Sequence, residues 1–203
     1  TFLNRGVSVA TINYRYQTNP SLDRPFTDND VTVLDSIHDS MRAVQTIRHN
    51  AIDWNIDASQ LAAYGGSAGA GTALWLGFHD DLADINSSDP IARQSTRLSA
   101  VGALNTQFTY DIRKWPAALG IPQAWADAQL QHLTAAELTI LDELDFHAMI
   151  TLDDSPVYVS NPHPNANTPA INDLGHIQHH PNHALQLKTK TENIGLDGSF
   201  TIP

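Results

Sequence analysis

The segment Tyr64-Gly65-Gly66-Ser67-Ala68-Gly69-Ala70-Gly71 is where this chain is best equipped for chemistry. It places Gly-x-Ser-x-Gly between an apolar run and a stretch of small residues. In that setting a serine sits on a sharp strand-to-helix turn, with its hydroxyl lifted over the sheet and the next backbone N–H aimed at a developing oxyanion. Gly65 and Gly69 flank Ser67 at two positions on either side, where a Cβ would crowd a tight chain crossing. The same pattern also occurs in loops that merely turn, so its flanks must decide. Leu61-Ala62-Ala63-Tyr64 forms a short apolar run, and Ala70, Ala73, Leu74 and Phe78 recur at helical spacing with no proline between them. Strand, turn and helix therefore fit. Phosphate-binding readings fit less well: Gly69-Ala70-Gly71-Thr72-Ala73-Leu74 lacks the third glycine of a dinucleotide fingerprint, and no Gly-Lys-Ser or Gly-Lys-Thr occurs.

Other elements must hold that turn. Val7 to Tyr14 is rich in β-branched residues and predicts a buried strand. The polar stretch with Pro20, Pro25 and several aspartates predicts a surface loop. From Val33 to Asn50, Leu34, Ile37, Met41, Val44 and Ile47 form one apolar stripe, and Asp35, Asp39, Arg42 and Arg48 lie off it. Leu98 to Leu104, Pro156 to Ser160 and Ser199 to Ile202 predict further strands. Residues 110–150 predict a mostly helical insertion, a cap over a pocket or a plain crossover, with a Thr134-x-x-Glu137 capping box opening a helix that runs to about Ala148. Asn161 to Gly175 predicts a loop, followed by a helix with Pro181 in its first turn and Gly195 at its end. The alternation is that of an α/β protein, a mostly parallel sheet with helices on both faces. Residues 1–203 are read as a single partial domain.

Eleven basic and 22 acidic side chains leave a net charge of −11. That balance argues against a nucleic-acid partner, which needs clustered Lys and Arg, and against an anionic membrane surface. No apolar stretch approaches the roughly 18 residues of a spanning helix. Disulfides, thiolate metal sites and thiol nucleophiles are excluded, because the chain has no cysteine. The compartment stays unread. The sequence opens at Thr1 without methionine or a signal-like segment, so the native amino terminus is expected upstream.

With these segments in view, the chain resembles the α/β-hydrolase superfamily, in particular its carboxylesterase and feruloyl-esterase-like members. The resemblance rests on Val7-Ser8-Val9-Ala10-Thr11-Ile12-Asn13-Tyr14-Arg15-Tyr16, on Asp39 to Arg48, and on Tyr64-Gly65-Gly66-Ser67-Ala68-Gly69. It is clear over roughly residues 5–80 and looser from Ser155 to Ile202. It implies a serine hydrolase that cleaves a small-molecule carboxylic ester through an acyl-enzyme on Ser67, with no organic cofactor. Ala68 N–H is then the first oxyanion donor, and a His-Gly-Gly-type loop supplying others is expected upstream of Thr1. Family order is serine, acid, histidine. Asp173 is the carboxylate between the Pro156–Ser160 strand and the Pro181 helix, and so either the acid or a turn former. The histidine is expected beyond Pro203, with His176, His179, His180 and His183 as a local substitute. As given, the chain is expected to have little or no activity.

The same histidines raise a metal question. His176 and His180, or His179 and His183, stand four apart, but Pro181 argues against one helix carrying them, and no metal site is assigned. Asp39 reads as a solvated or ion-paired residue. Trp54 and Trp75 read as core, and Trp115 as a pocket wall or a packing residue. The alternatives are a peptidase of the same fold and a noncatalytic binding module on a hydrolase scaffold.

Overall fold

The computed structural model describes residues 2–19, 22 and 24–203, so Pro20 of the expected loop lies outside the described residues. Four parallel strands, β1 (Ala62–Gly66), β2 (Ala100–Leu104), β3 (Val157–Ser160) and β4 (Gly198–Thr201), form one sheet in the order of the sequence. Ala62 pairs with Ala100, Val101 with Val157 and Val157 with Gly198, so all four strands end at a common edge. Val101, Ala103, Val157 and Val159 are buried in the sheet.

Helix α1 (Val33–His49) begins with a complete Thr32/Asp35 capping box, which satisfies backbone donors at its start. It buries Ile37 and Val44 as its stripe predicts. Asp39 is ion-paired, receiving the backbone N–H and the guanidinium of Arg15. Arg48 faces inward rather than outward and donates to the carbonyls of Ala58, Ser95 and Arg97. Helix α2 (Ala68–Phe78) packs on β1 and β2, and α1 packs on α2. Between β2 and β3 lie α3 (Trp115–Leu119), α4 (Gln123–Leu130), α5 (Ala135–Leu138), α6 (Ile140–Glu143) and α7 (Phe146–Met149). The helix expected from residue 134 to about 148 is therefore three short ones. Its Thr134/Glu137 capping box is present, but Thr139 Oγ1 bonds the Ala136 carbonyl and the chain turns at Leu144 and Asp145.

Three further expectations fail. Residues 7–14 form no strand: no described strand runs beside them, and Val9 is 56 % exposed. β-branching favours an extended backbone, but pairing requires a neighbour. Trp54 is 52 % exposed, because it sits in the turn after α1, whereas Trp75 is buried and donates its indole N–H to Glu143 O at 2.7 Å. The loop expected at 161–175 ends early, in α8 (Leu174–His179), a separate helix ahead of α9 (Asn182–Ile194). Pro181 precedes α9, and Gly195 ends it at φ +81°.

Two packing details tie these elements together. A Cβ on Gly65 would overlap the Gly69 carbonyl and lie 2.9 Å from Ala70 N, so β1 and α2 cross where a side chain has no room. The requirement is one-sided, since a Cβ on Gly69 would meet nothing within 4 Å. His183 on α9 is fully buried. Its Nε2–H donates to Ile177 O at 2.8 Å, and its Nδ1 accepts Phe108 N–H at 3.4 Å, which joins α9, α8 and the loop after β2. Burial holds this imidazole neutral, its pKa pushed down to about 4.

Two measurements follow from this packing. Gly65→Ala should lower stability in urea by about 3 kcal/mol, while Gly69→Ala should be neutral or stabilising by up to about 1 kcal/mol; equal losses at the two sites would contradict the one-sided crossing. The second concerns pH. An unfolded histidine binds its proton near pH 6.5, and native His183 refuses it until about pH 4, so within that window the unfolded state holds more protons. Stability should fall on acidification across this range, with His183 accounting for on the order of 3 kcal/mol. His147 and His180, whose pKa values burial also lowers, contribute to the same slope. A His183→Gln variant unfolded in urea at stepped pH should therefore show a shallower slope than the native chain, and an unchanged slope would count against the assignment.

Candidate active site

Ser67 joins β1 to α2 with φ +51° and ψ −117°, a backbone conformation rare for any residue with a side chain and one that stores strain. Its N–H donates to Leu104 O at 2.8 Å, which anchors the turn to β2, and its carbonyl receives the N–H groups of Ala70 and Gly71. The side chain is left free to leave the sheet. Asn105, which follows β2, has φ +48° and turns the chain toward the 106–110 loop. Ala68 is the first residue of α2, where N–H groups have no partner within the helix and the helix dipole favours negative charge.

Ser67 Oγ lies 2.9 Å from His179 Nε2. His179 is the last residue of α8, and its Nδ1 lies 3.1 Å from Gly175 O one turn earlier. A carbonyl only accepts, so Nδ1 carries the hydrogen and Nε2 presents its lone pair to the serine. The Ser67 hydroxyl is then the donor. Of the four local histidines, this one reaches Ser67. The others bind backbone: His176 Nε2 to Asn165 O, His180 Nε2 to Asn167 O, and His183 as above. His163, His176 and His180 stack with ring centroids 5.3 and 5.1 Å apart. Among the described residues no group of three or more His, Asp or Glu side chains could hold a metal ion.

Asp173 is the N-cap of α8. Its Oδ1 accepts His176 N–H at 3.0 Å, and the residue is exposed. The position read as acid or turn former thus organises the helix that carries His179, while His179 Nδ1 faces a carbonyl. Pro181 argues against one helix through the histidine cluster, and the chain instead forms two, α8 ending at His179 and α9 beginning after Pro181. The signal for the start of α8 is Asp173 itself, a residue type whose side chain caps the backbone N–H three residues on, as it does at His176.

Ser67 opens onto a cavity of about 260 Å³. Tyr110, Trp115, Ile140, Leu141 and Leu144 form much of its wall, with Gln107 and Gln178 as polar members. Trp115 is both pocket wall and packing residue: it is buried, donates to Thr109 O at 2.9 Å and stacks on Trp125 at 6.0 Å. Tyr110 reaches the turn itself, donating its hydroxyl to Ala68 O at 2.5 Å, and a Cβ on Gly71 would overlap that phenol. No pattern in the sequence singled out Gln107, Tyr110 or Gln178. Among the described residues no helix is long and apolar enough to cross a membrane.

Several solved structures share this fold. An acetyl ester-xyloside bifunctional hydrolase from Caldicellulosiruptor lactoaceticus superposes with a TM-score of 0.62 at 17% identity, covering 94% of this chain and 58% of its own. A truncated carbohydrate esterase from gut microbiota gives a TM-score of 0.53 at 18% identity, over 82% and 59% of the two chains. Thermogutta terrifontis esterase 2 phosphonylated by sarin gives 0.52 at 16%, over 84% and 55%. The chain thus spans somewhat more than half the length of these structures. No curated protein sequence matches it. The BD-FAE family model matches residues 1–118, more than half of the chain and the whole stretch that builds α1, the Ser67 turn and α2, and on that match the chain belongs to the BD-FAE family.

Proposed function

We propose that this chain carries the nucleophile of a serine hydrolase acting on carboxylic esters of small molecules. The observation that carries the reading is the 2.9 Å contact between Ser67 Oγ, on a strained strand-to-helix turn, and the unprotonated Nε2 of His179. Ser67 Oγ attacks the ester carbonyl while His179 takes its proton. The carbon–oxygen bond to the alcohol then breaks, and His179 returns the proton to the leaving alkoxide. Water repeats the sequence on the acyl-enzyme. The oxyanion formed at the carbonyl is stabilised by Ala68 N–H and the positive end of α2. Esterases of the same fold support the class of reaction, among them Thermogutta terrifontis esterase 2 phosphonylated by sarin. Neither a peptidase nor a noncatalytic role has a feature of its own in its favour.

Asp173 is the acid we assign to this set. It sits at the start of the helix that ends in His179, and it would serve by exchanging its His176 N–H partner for the His179 Nδ1–H, displacing the Gly175 carbonyl. Asparagine caps helices as well as aspartate does, so Asp173→Asn removes the charge and keeps the cap.

In the full-length protein, a fluorophosphonate should label Ser67 covalently and Ser67→Ala should abolish labelling; a labelled mutant refutes the nucleophile. His179→Ala should lower kcat by about 10²- to 10⁴-fold. An unchanged kcat would rule out His179 as the base. Asp173→Asn should lower kcat by on the order of 10³-fold, whereas full activity would restrict Asp173 to its capping role.

A further inference from the structure

The space beside Ser67 constrains what the enzyme accepts. At roughly 30 Å³ for each water-sized group, its volume of about 260 Å³ takes on the order of eight heavy atoms. That is far more than the methyl of an acetyl group needs. Leu133, Ile140, Leu141 and Leu144 from the helical segment, with Tyr110 and Trp115 from the chain after β2, make its walls apolar. Its uncharged polar members besides Ser67 are Gln17, Thr32, Gln107 and Gln178, of which Gln107 donates from Nε2 to Gln178 O at 2.7 Å and so has a protein partner already.

The charge on the wall has one sign. Glu137 lines the cavity and accepts the N–H groups of Thr134 and Phe26. Hydrogen bonding from the Thr134 side chain, then from these N–H groups, holds its carboxyl below the usual carboxylate range, so it is an anion at neutral pH. Among the described residues no lysine or arginine lines the cavity to offset it.

Resting on the serine-esterase reading above, we propose that this cavity is the acyl site, that it selects uncharged apolar acyl chains longer than acetyl, and that the Glu137 carboxylate turns away acyl groups ending in a free carboxylate. Each methylene buried in such a site contributes to transition-state binding until the space is filled. A carboxylate brought beside Glu137 meets a like charge, with no lysine or arginine among the described residues of the cavity wall.

The experiment is a p-nitrophenyl ester series, acetyl to dodecanoyl, with the full-length protein, together with the mono-p-nitrophenyl ester of succinic acid. From acetyl to hexanoyl, kcat/KM should rise by roughly fourfold per methylene and then fall for dodecanoyl. Ile140→Trp, at a half-buried wall position, should lower the hexanoyl-to-acetyl ratio by roughly tenfold or more. This ratio does not depend on the amount of folded enzyme. Glu137→Gln should raise the succinyl-to-butanoyl ratio by about tenfold. Leu133→Trp provides a second obstruction should Ile140→Trp fail to fold. A flat chain-length profile with Ser67-dependent acetyl cleavage intact, or ratios unmoved by these substitutions, overturns the acyl-site assignment alone. Ester cleavage that survives Ser67→Ala overturns the underlying serine reading instead.

Discussion

The structure hangs on the close crossing of β1 and α2. Gly65 gives up its side chain so that the Gly69 carbonyl can pass where a Cβ would stand. That approach brings the first turn of the helix against the strand it follows, and Ser67 has to reverse the chain between them at positive φ. The cost of that conformation is met by bonds on either side: Ser67 N–H to β2 and Ser67 O to the first turn of α2. Because the anchors are all backbone, the hydroxyl is left as the unconstrained part of the residue and projects toward the cavity and His179.

Much of this was legible from local rules. The apolar stripe of α1, the run before Ser67, the helical spacing after it and the Gly195 stop each appear where the sequence places them. These are short-range signals in which neighbouring residues settle the answer. Residues 7–14 show the limit of such signals: their composition asks for a strand, but a strand also needs a partner beside it, and none is assigned there. Trp54 shows another. Aromatic character says a residue favours burial, and its place in a turn decides otherwise. The split of residues 134–148 into short helices comes from side-chain and turn contacts that periodicity does not register.

The site was legible in its nucleophile and much less in its partners. Ser67 and Ala68 are adjacent on a recognisable turn. His179 lies 112 residues from Ser67, and its selection from four neighbouring histidines depends on α8 ending where it does. Of the other three, His176 binds the Asn165 carbonyl, and two are structural for a shared reason: a neutral imidazole, with one donor and one acceptor, can bridge two backbone groups inside the fold. His183 does this between Ile177 and Phe108, and His180 between Asn167 and Asn182. Repetition of one residue type thus hides two different jobs.

Tyr110 belongs at once to the cavity and to the turn: its ring is wall and its hydroxyl grips the carbonyl of Ala68. The absent side chain of Gly71 leaves the phenol its berth. Whatever occupies the hollow therefore leans on a lever whose far end is the peptide following the nucleophile, and fit in the one place is felt as alignment in the other.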